Sequence, residues 1–93
     1  MSFSTDSNRI EVAGSLDRYT LANVSAYKYP NLDGDVVVDL AKVEHTDTAG
    51  LAWVLKLIAH YQKKHQVELI NQPEQLLALA SISNVIELLP IKK

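Results

Sequence analysis

The sequence predicts an α/β fold: a small mixed β-sheet with α-helices packed on it. Three observations carry this. Strand-like segments rich in Val and Ile alternate with segments of helical period, which implies parallel neighbours joined by right-handed crossovers. Residues 36–40, Val-Val-Val-Asp-Leu, form a near-continuous apolar run, the pattern of a central strand buried on both faces. Residues 51–64 place Leu51, Val54, Leu55, Ile58 and Tyr61 on one broad arc of a helical wheel. The 93 residues make a single domain, 1–93, with one core.

The elements follow in order. Ile10, Val12 and Leu16 share one side of the segment 9–16, which reads as a strand. Phe3 belongs to a preceding edge strand, with Asp6-Ser7-Asn8 as the turn between them. Asp17 is placed to cap a first helix running to about Tyr27, with Leu21 and Val24 on its apolar face. Tyr29-Pro30-Asn31 stops that helix, because the residue before proline avoids the αR region. Asp33-Gly34-Asp35 is a turn before the apolar strand. A second helix spans about residues 48–64, and Val67-Glu68-Leu69-Ile70 is a further strand. Pro73 opens a last helix carrying Leu76, Leu77, Leu79, Ala80 and Ile82, and Asn84 closes it in the αL conformation. Residues 85–91 are a short apolar tail.

Composition removes several functions. A hydrophobic fraction of 47% with 22% charged residues is that of an ordinary globular chain. The formal net charge of −2 gives no basic footprint for nucleic acid and no polybasic membrane anchor. The absence of cysteine excludes disulfides, thiolate metal sites and a Cys nucleophile. Residues 1–6 lack the basic and apolar regions of a signal peptide, and no run approaches the ~18 apolar residues of a membrane span. A cytoplasmic protein without direct membrane insertion is expected.

The segment Asp47-Thr48-Ala49-Gly50 joins the polar end of a strand to the start of the second helix. Asp47 or Thr48 is positioned to cap that helix. Thr48 also offers a hydroxyl for docking or phosphorylation. A phosphate there would meet unpaired backbone N–H groups and the positive end of the helix dipole, but would be repelled by Asp47. Gly50 leaves the first turn uncrowded for a close approach. Trp53 falls on the wheel among Lys56, Lys63 and Lys64, nearly opposite the apolar arc. It either covers a neighbouring loop or forms a partner contact one turn from Thr48.

No catalytic or metal set accompanies this corner. His45, His60 and His65 make no i, i+4 pair, so no zinc site is expected. His45 is near Thr48 in sequence but reads as an exposed loop residue. Asp17, Asp39 and Asp47 invite a three-acid site at one sheet edge, yet Asp17 reads better as a cap and Asp39 as an end-of-strand residue. There is no nucleophile elbow, Walker A pattern or Gly-rich phosphate loop. The expectation is a non-enzyme without cofactors.

Gly14-Ser15-Leu16-Asp17, the Val-Val-Val-Asp-Leu strand and Val43 through Asp47-Thr48-Ala49-Gly50-Leu51 together resemble a STAS domain, the module of sulfate transporters and anti-sigma-factor antagonists. The resemblance runs nearly end to end and implies a small mixed sheet backed by helices on one face. In the antagonists a partner kinase phosphorylates the residue at the position of Thr48. They carry Ser-Ser or Ser-Thr where this chain has Thr48-Ala49, and an acid is common where it has Ser15. The brief N-terminus and Asp-Thr-x-Gly-Leu-Ala are more similar to the MlaB-type STAS subunits of the Mla phospholipid transporters of Gram-negative bacteria. That likeness implies a non-catalytic subunit that binds an MlaF-like ABC ATPase within a complex with a membrane permease. Its contact would lie at Thr48, with Asp47, Ala49 and Gly50 beside it. Trp53 as an adjacent contact comes from the wheel alone.

Overall fold

The computed structural model describes residues 2–6, 8–18, 21, 29 and 31–91. Strands β1 (Ser2–Asp6), β2 (Arg9–Leu16), β3 (Val36–Thr46) and β4 (Val67–Ile70) form one sheet in the order β1-β2-β3-β4. β1 runs antiparallel to β2, while β2–β3 and β3–β4 are parallel, so the sheet is mixed. Helices α1 (Thr48–Gln62) and α2 (Glu74–Ile82) back it, which is an α/β architecture of the STAS type. The helix expected over 17–27 lies largely outside the described residues; within it, the Leu21 N–H donates to the Asp17 carbonyl at 3.0 Å.

Alternation along the strands sorts the side chains. Ile10, Val12, Leu16, Val36, Val38, Leu40 and Leu69 point to one face and join Leu51, Val54, Leu57 and Ile58 of α1 and Leu76 and Ala80 of α2 in a single core. The opposite face of β3 corrects the expectation of a strand buried on both sides. Val37 is only half-buried there, and Asp39 is 5% exposed beneath polar partners. Its carboxylate accepts hydrogen bonds from the Arg9 guanidinium, from Asn71 Nδ2 at 3.0 Å and from the Ala41 N–H at 2.9 Å. Burial pushes the Asp39 carboxyl upward, but these hydrogen bonds and the Arg9 charge outweigh it and hold the group below the usual carboxylate range.

β3 runs 11 residues, well past the apolar run that marks its start. Residues 42–46 continue the ladder with residues 13–16 of β2 although Ala41, Lys42, Glu44 and His45 are exposed. Backbone pairing extends the strand, with Val43 packed against the core and Thr46 buried among the exposed positions. The register shifts twice along β2, and Gly14 between the shifts takes φ +87°. These irregularities shape the end of β2 at Leu16, where α1 begins.

α2 ends as expected. Asn84 has φ +62°, the Val85 N–H donates to the Ala80 carbonyl at 2.9 Å, and the Asn84 N–H donates to Ser81 at 3.1 Å. Both bonds of a Schellman motif are present, and Asn tolerates the αL position better than other non-glycine residues. Pro73 stands one place before the first helical residue, as N-cap. Ile82 departs from its expected place on the core face: it is 84% exposed at the last helical position. The apolar tail forms a single 3₁₀ turn, Ile86–Leu88, then Ile91 bridges Leu69 at the outer edge of β4.

Candidate functional site

The parallel pairing Leu16↔Thr46 sets the ends of β2 and β3 side by side, and α1 springs from that edge. Asp47 fastens the junction. Its N–H donates to the Leu16 carbonyl at 3.1 Å, and its carbonyl accepts from the Leu51 N–H at 3.0 Å. Its side chain accepts from the Gly50 N–H at 3.0 Å through Oδ1 and from the Arg18 N–H at 3.3 Å through Oδ2. Asp47, not Thr48, is therefore the N-cap, in extended backbone conformation at φ −111°. A second clamp comes from α2: Gln75 Oε1 accepts from the Thr46 N–H at 2.9 Å.

With the cap taken by Asp47, Thr48 is the first helical residue and is exposed. Its hydroxyl has no hydrogen-bond partner within the chain among the described residues. The helix itself offers no carbonyl to the Thr48 and Ala49 N–H groups. A shallow depression of about 400 Å³ is lined by Arg18, Asp47, Thr48 and Ala49. The structure thus brings together three of the sequence-predicted residues and adds Arg18. The signal for Arg18 was available: it sits just past β2, and the carboxyl ends of adjacent parallel strands share one edge.

Two expected contact residues are elsewhere. Gly50 is buried, and a Cβ on it would fall 2.1 Å from the Leu16 carbonyl oxygen. The close approach it permits is internal, between α1 and β2, so it does not keep the corner open to a partner. Trp53 is 0% exposed. The buried positions of α1 (Gly50, Leu51, Trp53, Val54, Leu57, Ile58, Tyr61) form one continuous arc centred nearer Leu57 and Tyr61 than the wheel suggested. Trp53 lies at the margin of that arc, with the Tyr29 ring tilted over it at a centroid distance of 6.4 Å. The chain between β2 and β3 thus contributes an aromatic cover to this flank of α1. Trp53 belongs to the core and presents nothing to a partner.

The three-acid arrangement also fails. Asp39 is bound to Arg9 and Asn71 near the start of β3, and Asp47 follows its end. At about 3.3 Å per residue the two stand roughly 25 Å apart along the strand. Among the described residues no group of three His, Cys, Asp or Glu side chains is placed to hold a metal ion. His45 is exposed on β3. What the corner offers is recognition chemistry: a fixed helix end, an available hydroxyl and small neighbours.

Comparison with known families then decides the class. The family model described as "Mlab, STAS domain" matches residues 1–90. The chain belongs to the STAS domain family. No curated protein matches it. STAS domains are generally non-catalytic regulatory or adaptor modules, and they often partner with ABC transporter components. Among the described residues no helix of this STAS domain is long and apolar enough to cross a membrane.

Proposed function

We propose that this STAS domain is the cytoplasmic adaptor subunit of a phospholipid ABC transporter, bound to and supporting its ATPase. It would act in intermembrane phospholipid trafficking and outer-membrane lipid asymmetry, held at the inner membrane through the transporter complex. The observation that carries this reading is the exposed Thr48 on a helix start immobilised by Asp47, in a chain of the MlaB-type STAS family. Asp47, Thr48 and Ala49 form the docking edge, with Arg18 beside them. A preorganised edge loses little conformational freedom on binding, so a small contact gains specificity. The test is to tag the chain in its own cells and identify what co-purifies from the membrane fraction. An ABC ATPase with its permease supports the reading; recovery of the chain without either contradicts it.

The same exposed hydroxyl favours a second reading, an anti-sigma-factor antagonist switched by phosphorylation at Thr48. The Asp47 carboxylate weighs against a comfortable phosphorylated state, although backbone N–H groups engage both its oxygens. Incubation with a cognate kinase and ATP followed by intact mass separates the two: a single phosphate on Thr48 supports the switch.

A further inference from the structure

At the far end of α1, about 20 Å from Thr48 at about 1.5 Å per helical residue, lies a recess of about 420 Å³ between the helix end and the 31–33 loop. Lys63, Lys64, His60 and His65 line it against a single carboxylate, Asp33. Neither lysine makes an ion pair among the described residues. In a chain of formal charge −2, this is a local concentration of donors. We propose that this recess binds a phosphate-bearing anion.

Three features support it. The lysines supply charge, and each imidazole supplies at least one N–H donor whatever its protonation state. The negative end of the helix dipole, which would otherwise repel an anion, is partly answered: the Tyr61 carbonyl accepts the Lys64 and His65 N–H groups at 3.2 and 2.9 Å. Aromatic rings form one wall, with His60 and His65 at 4.9 and 6.4 Å from the buried Tyr61 ring. That wall gives an apolar seat to whatever the phosphate is esterified to, and the volume lies within the usual range for a ligand site. The inference is independent of the Thr48 corner, since the two sites occupy opposite ends of one helix.

The test is an NMR titration of the full chain with inorganic phosphate at constant ionic strength, in wild type and in the double variant Lys63→Gln, Lys64→Gln. Both lysines are exposed, so the variant keeps the fold. Saturable shifts of the His60, Lys64 and His65 signals are expected, with affinity reduced about tenfold or more in the variant, or ~1.4 kcal/mol. Unsaturable shifts scattered over the surface, or equal affinity in the variant, would overturn the proposal. Sedimentation with phosphatidylglycerol and phosphatidylcholine vesicles then identifies the source. Lysine-dependent binding to the anionic vesicles alone assigns a lipid headgroup, and saturable phosphate binding without vesicle binding assigns a soluble phosphoester.

Discussion

Gly50 and Leu16 are in backbone contact: a Cβ added to Gly50 would sit 2.1 Å from the Leu16 carbonyl oxygen and 2.8 Å from the Leu16 Cβ. The start of α1 is pressed against the end of β2, and the absence of a side chain at Gly50 sets how closely. The neighbouring atoms are the Leu16 backbone and the Cβ fixed to it, which cannot swing away. Gly50→Ala is therefore expected to lower stability by about 1–3 kcal/mol, as overpacking of a fixed contact does. A urea denaturation midpoint shifted to lower concentration at unchanged slope checks this. A midpoint equal to wild type would mean the corner has slack that the contact denies.

Asp39 predicts the acid behaviour of the sheet. Its folded carboxyl lies below the ordinary value of 3.8, so the carboxylate stabilises the folded state above that value. As pH falls from about 4 through the lower folded value, the unfolded chain takes up the proton first and this stabilisation is lost. Asp39→Asn removes the dependence and also weakens the hold on Arg9. Because Arg9 is half-exposed, its share of the bond is screened, and the variant is expected to lose only about 1–2 kcal/mol at neutral pH. The gap between wild type and variant should narrow below pH 4 in urea titrations; a constant gap would contradict the assignment.

Trp53 is the single tryptophan, which makes its burial directly readable. Its fluorescence should be blue-shifted and resist quenching by iodide, and both properties should vanish on unfolding. Trp53→Ala should cost about 3–5 kcal/mol, the scale for emptying a core aromatic site. Strong quenching in the folded chain, or a Trp53→Ala variant of normal stability, would return Trp53 to the surface.

Much of the fold was legible because local chemistry and burial agree. Asn84 announced the end of α2, since few residues accept αL and a Schellman pair needs one there. Thr5↔Ile10 and Phe3↔Val12 bear out the hairpin around Asn8, itself at φ +67°. The features that misled are those in which one residue type serves two geometries. A glycine in a first helical turn reads alike whether the close neighbour is another protein or Leu16. A wheel gives the direction of Trp53 but not the number of layers around the helix, so an aromatic at the margin of the apolar arc is placed outside when a second cover exists. The polar half of β3 was hidden because backbone pairing with β2 and the Gln75 clamp on Thr46, not an apolar run, mark it. Asp39 in an apolar run read as the end of a strand, whereas its partners Arg9 and Asn71 lie 30 and 32 residues away in sequence.

The central claim is that the edge at Thr48 docks an ABC ATPase, and the most direct measurement uses Thr48→Arg. Thr48 is exposed at the first helical position, so the larger side chain meets no core atom. A positive charge there opposes the helix dipole and costs only about 0.3–1 kcal/mol. Circular dichroism and the thermal midpoint establish that the variant is folded, and co-purification of the ATPase with each tagged chain is then quantified. The account predicts a folded Thr48→Arg chain that no longer retains the ATPase, while the wild type does. A folded variant that retains the ATPase at the wild-type level would contradict it.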